Sequence, residues 1–387
     1  MLATLSQKIA TFAATHLSTA YPNWKRILMG RLPVNQAAII ASVLTTGLVV
    51  GVQEFWGLQA MELLALDQMV RLQTQFRIDP RLLVVEITED DLATQEEWPI
   101  SDATLAEAIG ILQQYNPSVV GLDLYRNLPH PPGVEALQAE FQASNLVVIT
   151  KLPDGEEAGV PAPPGVPEAR IGFNDFVLDP DGVIRRNFLY AYLDQEQQFY
   201  SFALRLALTY FQAQGYDIEV TPRYLRIEDA LLQPLRPSDG GYQSINAVGL
   251  QILIDYRWRD VAERVSLSQV LNREIRSQQV EDRIVLIGST GHSILQDNFL
   301  TPHSAAETGN PHWPGVLIHA QLTHQILSTV LDRQPLIWFW PQWGEVLWLW
   351  VWALVGGIGL ANPISLAFGG RYGLGGDGYD GDLLVGV

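Results

Sequence analysis

Two long stretches of the chain carry no charge, and between them apolar residues recur now at helical and now at strand spacing. The first uncharged stretch runs from Leu32 to Gln53, and its core, Ala37 to Val52, is built from Ala, Ile, Val, Leu, Gly and hydroxyl residues. The second runs from Val346 to Gly370 and contains Leu347, Trp348, Leu349, Trp350, Val351, Trp352, Leu354 and Val355. About 20 helical residues cross the hydrocarbon of a bilayer, so both stretches have the length of a span. Trp338, Trp340, Trp343 and Trp348 crowd one end of the second, and indole rings favour the headgroup layer. The pattern predicts transmembrane helices over 34–57 and 336–363, with a buried core helix as the competing reading of each.

The residues between the two stretches read as an α/β domain. Met61, Leu64, Val70 and Phe76 give a helix over 59–77, with Asp67 and Arg71 one turn apart, and Asp79-Pro80 stops it. Leu82–Thr88, Ser118–Asp123 and Asn145–Thr150 are apolar runs of strand type. Ser101 can cap a helix with Leu105, Ile109 and Leu112 on one stripe, and a shorter helix falls at 134–141. Strand, helix, strand, helix, strand implies right-handed crossovers and a parallel sheet. Residues 152–168 read as an exposed loop, and Asp179-Pro-Asp-Gly182 as a type I turn in a hairpin. A helix at 201–214, a buried strand ending in the Gly288–Gly291 turn, and a helix at 316–331 complete the middle. The fold class expected is α/β: a mixed, mainly parallel sheet in a sensor domain flanked by transmembrane α-helices.

Charge orients the chain. Residues 1–33 contain Lys8, Lys25, Arg26 and Arg31 and no acid, whereas Glu54, Glu62 and Asp67 follow the first stretch before any base. The positive-inside rule then places a basic N-terminus (1–33) in the cytoplasm and the domain at 58–334 outside. A cleaved signal peptide competes, but its basic region would extend through Arg31 and no clean small-x-small site precedes Glu54. The chain of 387 residues carries 42 acids and 24 bases, a formal charge of -18, which argues against nucleic acid as a partner. The absence of cysteine excludes disulfides, thiol nucleophiles and cysteine zinc sites. An acidic, cysteine-free outer domain fits a bacterial periplasm, at the inner membrane.

Polar residues at or near the carboxyl ends of the expected parallel strands are ligand-binding candidates, because sites form there in such sheets. They are Glu86, Thr88, Asp123, Ser289 and Thr290. The plainer reading is that Ser289 and Thr290 cap a turn and Asp123 holds backbone amides. The Gly288–Gly291 turn lacks the lysine of a nucleotide loop. Asp179 and Asp181 are followed by Gly-Val-Ile-Arg-Arg rather than by further oxygen ligands, which favours a hairpin over a calcium loop. Arg185 and Arg186 alternate along a strand, so one of them faces the interior and needs a carboxylate. His319 and His324 are five apart and Asp297 lies nearby; no metal site and no cofactor are expected, and His319 is placed at the start of the last helix, bonding backbone or Asp297. Imidazole titration near neutrality makes His319 a conditional pH sensor.

Trp98-Pro-Ile, Val120-Gly-Leu-Asp-Leu124, Ile171-Gly-Phe, Asp179-x-Asp-Gly-Val-Ile-Arg-Arg186, Ile284–Thr290, Asp297-Asn-Phe-Leu-Thr-Pro302 and Pro314–Ala320 together resemble the second-type CHASE domain. The resemblance covers about 58–334. It implies an extracytoplasmic sensory domain of a bacterial receptor, cyanobacterial ones among them, set between one N-terminal span and several C-terminal spans. A histidine kinase, nucleotide cyclase or Ser/Thr kinase normally follows. Here one span follows, and the tail at 364–387 is Gly-rich. The expectation is therefore a truncated or frame-shifted product, or a short receptor acting through a separate cytoplasmic kinase or cyclase. The expected partners are the lipid bilayer, a small molecule or envelope condition, and a second copy of the chain. No enzyme activity is expected. The rival readings are a tethered periplasmic enzyme using Glu86 and Asp123 as acid and base, and a pure interaction domain.

Overall fold

The computed structural model describes residues 34–73, 77–95, 99–155, 157–192, 198–257, 260–291, 297–307 and 311–361. Expectations placed on 1–33, on Trp98 and on the tail from 364 lie outside the described residues. The chain divides into two units: Leu58–Trp340, and a second formed by Met1–Gly57 with Pro341–Val387. In chain order the main elements are α1 (Val34–Trp56), α2 (Gln59–Leu72), β1 (Leu82–Ile87), α3 (Asp102–Gln113), β2 (Val119–Asp123), α4 (Val134–Glu140), β3 (Leu146–Thr150) and β4 (Ile171–Phe173). They continue with β5 (Ile184–Tyr192), α5 (Phe202–Ala213), β6 (Leu250–Leu253), β7 (Glu263–Ser266), β8 (Ile284–Ser289), α6 (Gly315–Leu331) and α7 (Gln342–Ala361).

The larger unit is built on a six-stranded sheet in the order β7-β1-β8-β2-β3-β4, and every pairing in it is parallel. The expected mixed sheet resolves into this parallel sheet and separate antiparallel ones, among them β6-β5-Val177–Leu178. The central strands are apolar on both faces because both are covered by helices. Leu82 and Val84 pack with residues of α5 and α6, while Leu83, Val85 and Ile87 pack with residues of α3. The capped helix forms as the sequence requires: Ser101 Oγ accepts from the Thr104 N–H (3.3 Å), and Leu105, Ile109 and Leu112 are fully buried.

Two glycines set the closeness of α5 to the sheet. A Cβ at Gly121 would lie 2.7 Å from a Leu206 methyl, and one at Gly172 would lie 2.5 Å from the Phe202 Cα. Backbone cannot swing aside as a flexible side chain can. Gly172→Ala is therefore expected to lower stability by about 1–3 kcal/mol, read by denaturant unfolding of the full-length chain; an unchanged midpoint would contradict the close packing.

Helix α2 ends at Leu72, earlier than the sequence pattern suggested, and Asp67 does not use its carboxylate on Arg71, whose Nε donates instead to the Asp67 carbonyl (3.2 Å). The Asp67 carboxylate accepts both arms of Arg185, at 2.7 and 2.9 Å. Arg185 also donates to Asp179 (2.9 Å) and Asp181 (2.6 Å). Arg186 donates to Asp179 (2.8 Å) and to Gln251 (2.7 Å), and the Tyr242 hydroxyl donates to Asp179 as well (2.9 Å). One arginine was expected to face the interior and need a carboxylate; both are buried, at 2% and 4% exposed, and both are paired. The Asp179–Gly182 turn bends back to present its carboxylates, with the Gly182 N–H donating to the Asp179 carbonyl (2.8 Å).

Helix α6 is buried along nearly its whole length, although many of its buried side chains are polar. Gln321 accepts the Arg257 N–H (3.0 Å), and Gln325 donates to the Leu253 carbonyl (2.7 Å) and accepts from Asn187 (3.3 Å). His324 meets Asp79 at 2.7 Å, and Asp79 is bound in turn by Arg81 (2.7 Å). Successive turns of α6 are thus hooked to strands and loops around them.

In the smaller unit α1 and α7 pack on each other, and a Cβ at Gly357 would lie 3.4 Å from the Ala38 carbonyl. Ala38, Ser42 and Thr46, four residues apart, are buried, while Ile39, Ile40, Val43, Leu44 and Leu48 are 47–69% exposed. The distribution is inside-out for a helix in water. Counting only the described residues, no helix is long and apolar enough to cross a membrane.

Candidate functional site

The strand order fixes where a site can form. The chain passes from β2 outward to β3 and β4, reappears at the opposite edge as β7, and returns between β1 and β2 as β8. Crossovers on either side of such a reversal leave a crevice at the carboxyl ends of the strands. A cleft of about 880 Å³ lies there, over the ends of β2, β3, β4 and β8. That volume suits a small molecule.

Asp123, the last residue of β2, stands in the cleft floor and is 6% exposed. Its Oδ1 lies 3.9 Å from His319 Nε2, and its Oδ2 has no hydrogen-bond partner. His319 comes from the second turn of α6 and stacks on Phe176 (centroids 4.6 Å apart), with Phe202 edge-on at 5.2 Å. Its Nδ1 is also without a partner. Asp297 enters from the other side and accepts the backbone N–H of Gly315, the first residue of α6. The approach is so close that a Cβ at Gly315 would stand 2.2 Å from Asp297 Oδ1, so a larger residue there would push the carboxyl off the helix end. Tyr125 donates to Asn174 Oδ1 (2.8 Å), and Asn174 turns toward Asp123.

Burial governs the protons here. It raises the Asp123 carboxyl well above the usual carboxylate range, and the charge on Asp297 raises it further, against a smaller lowering by Asn174. Burial pushes Asp297 up to about 7, the Gly315 N–H opposing. Burial pushes His319 down to about 3, so its imidazole is neutral. Near neutral pH the site therefore holds a neutral His319 and an Asp297 close to its midpoint, beside an Asp123 that is harder to ionise than an ordinary carboxyl. An incoming cation could replace these protons as the counter-charge.

Four of the eight residues singled out in the sequence gather at this cleft: Asp123, Ser289, Asp297 and His319. Ser289 lines it, though its Oγ accepts the Gly291 N–H (3.3 Å), the turn-capping role anticipated. Asp123 does not hold backbone amides as the plainer reading had it, and His319 lies against Asp123 rather than bonding backbone. Glu86 is 3.0 Å from Arg264 and Thr88 donates to Asp91 (2.7 Å), so neither lines the cleft. The Thr290 N–H continues the sheet to the Ile87 carbonyl (3.0 Å). Arg185 is committed to its three carboxylates away from the cleft lining. The pairing of Glu86 with Asp123 on which the enzyme reading depended is absent. Asn174, Phe176 and Phe299 were missed; their only sequence signal was a place just beyond a short strand or beside Asp297. Among the described residues no group of three or more His, Asp or Glu is placed to hold a metal ion.

No curated protein and no solved structure matches the chain significantly. The family model of the CHASE2 domain, a family of extracellular sensory domains, matches residues 41–358, a range that starts inside α1 and ends inside α7, and the chain belongs to this family.

Proposed function

We infer that the protein is the signal-input part of a membrane-anchored bacterial receptor, with the larger unit outside the cytoplasm, α1 and α7 as its spans, and the cleft as its ligand site. The observation that carries this reading is the attachment of the cleft to α6. Asp297 sits on the first N–H of that helix and His319 lies one turn further on, so anything bound at Asp123 and Asp297 presses on α6 directly. The chain leaves α6 at Leu331 and enters α7 at Gln342. A ligand that favours one placement of α6 would bias the segment that connects it to α7.

No helix of the described residues is by itself long and apolar enough to cross a membrane, so the spans rest on the uncharged runs of sequence, which extend beyond those residues, on the reach of the family match into both helices, and on the greasy outer face of α1 over a seam of small and hydroxyl residues. Small residues at the contact and apolar ones outside are what lipid selects. The N-terminus is then cytoplasmic. Because the chain has no native thiol, single cysteines report topology directly. Ser238→Cys, on an exposed loop, is expected to react with an impermeant maleimide from outside the inner membrane, while Asn23→Cys stays protected. The reverse pattern would overturn the orientation, and recovery of the uncleaved chain free in the cytosol would overturn the anchoring.

A raised carboxyl pair in a cleft is also what acid–base catalysis presents. Hydrolysis of phosphoesters, esters or glycosides by the full-length chain, lost in Asp123→Asn, would select an enzyme instead.

A further inference from the structure

We propose that the cleft binds a small aliphatic diamine or polyamine, one ammonium group seated between Asp123 and Asp297 and a second directed to the acidic mouth. The proposal builds on the reading of this cleft as the ligand site and names its occupant.

The first ground is an acceptor without a donor. Asp123 lines the cleft and its Oδ2 is buried with no partner at hydrogen-bond geometry, Asn174 lowering the carboxyl only weakly, which is costly unless something supplies a donor. An ammonium group carries three donors and no acceptor, which matches a pair of carboxyls.

The second ground is charge. Among the described residues that line the cleft, the two basic side chains, Arg126 and Lys151, each stand beside an acid other than the pair. Arg126 is 3.3 Å from Asp102 and donates to the carbonyls of Tyr125 and Ile100. Lys151 is 3.2 Å from Glu157 at the rim. His319 is neutral and stacked. Asp154, Glu157 and Asp175 surround the mouth, so acids outnumber bases around the cleft. An anion would meet repulsion, and an amino acid would bring a carboxylate while both of these bases already stand beside acids. A second ammonium, by contrast, would find Asp154 and Asp175.

The third ground is the wall between these ends. Phe176 and Phe299 meet edge to face (4.9 Å, 74°) and line the cleft together. Such rings suit a methylene chain and attract a neighbouring cation.

The groups that face the pair from the surrounding elements are Tyr125, Arg126 and His130 after β2, Lys151 after β3, Asp175 after β4, and His319 from α6. Burial lifts Tyr125 to about 12 and raises Asp175, so the group changing charge at the pair near neutrality is Asp297. Amine binding must displace its proton, and affinity should rise as the pH is raised.

The test is isothermal titration of the full-length chain in detergent with 1,4-diaminobutane and with spermidine. Butane-1,4-diol and butyrate serve as neutral and anionic controls, and calcium and zinc salts as metal controls. Saturable binding of the amines is expected, with proton release that makes the heat depend on the buffer, and with affinity rising roughly tenfold from pH 6 to pH 8. Asp123→Asn and Asp297→Asn, each nearly isosteric and checked for the parent circular dichroism, should each weaken binding roughly ten- to a hundred-fold. Absence of amine binding, binding unchanged in both variants, or binding of the metals alone would overturn the proposal. Amine binding together with a cytoplasmic Ser238→Cys label would leave this inference standing and remove the receptor orientation, and labelling from outside without amine binding would do the opposite.

Discussion

Replacing Arg185 by Met is expected to destabilise the domain by about 3–5 kcal/mol, because a buried ion pair is broken while its acid stays in place. The loss falls mainly on Asp67. That carboxylate is 6% exposed and takes both its short contacts from Arg185, whereas Asp179 keeps Arg186 and Tyr242. Asp181 is 47% exposed at its side chain and can return to water. The network gains its strength from the planar fork of the guanidinium, which serves Asp67 with two arms and the turn with the remaining donors. Arg185→Lys should therefore still lose about 2 kcal/mol or more, since an ammonium cannot make the fork. Urea unfolding of the full-length chain measures both. The double variant Asp67→Leu/Arg185→Met should recover much of the loss, as hydrophobic replacements of buried pairs do. A single-variant loss below about 1 kcal/mol would show the network to be ornamental.

Asp297→Asn should act in the opposite direction and only in part of the pH range. In the unfolded chain an aspartate ionises near pH 4, whereas the folded protein holds Asp297 protonated up to about 7. Below the lower value both states are protonated and the group is silent. Between the two values the unfolded state gives up its proton first, so the folded state loses stability as the pH rises. The loss is complete above pH 7 and amounts to about 4 kcal/mol at most. The asparagine variant escapes it and can still accept the Gly315 N–H, so it should exceed the parent in stability at pH 8 and match it at pH 4. Equal curves at both pH values would contradict the burial-driven shift. The same variant is expected to bind amines poorly, so its weaker binding cannot come from unfolding.

A second carboxyl works in another window. Burial pushes Asp79 up, but hydrogen bonds with His324 and Arg81 pull harder and hold it well below the usual range. Its contribution is present above about pH 4 and is lost as the pH falls further. Between them, Asp79 and Asp297 place the most stable range of the domain on the mildly acidic side of neutrality.

The local elements were legible because short-range physics sets them. The Ser101 cap, the apolar runs of β1, β2, β3 and β8, and the turn at Asp179 stand where their residues put them. Long-range pairing was not legible. Asp67 looked like the partner of Arg71 because they are one helical turn apart, yet Arg185 lies 118 residues away in sequence and wins through its fork geometry. Four of the eight candidate residues fall at the cleft, since Asp123 and Ser289 end parallel strands and Asp297 and His319 come together at the start of α6. Glu86 and Thr88 satisfied the same rule but are taken by Arg264 and Asp91, partners that strand position alone does not reveal. The aromatic wall could not be read either, because Phe176 and Phe299 meet only once the chain has folded.

Helix α6 carries polar hooks on successive turns, and they engage neighbours that belong to different parts of the domain. Sliding the rod by a fraction of a turn would unhitch Gln321, His324 and Gln325 together, with no intermediate notch in which some stay engaged. A movement started at the Asp297 end is therefore expected to break these contacts as a set, which favours a switch over a graded response.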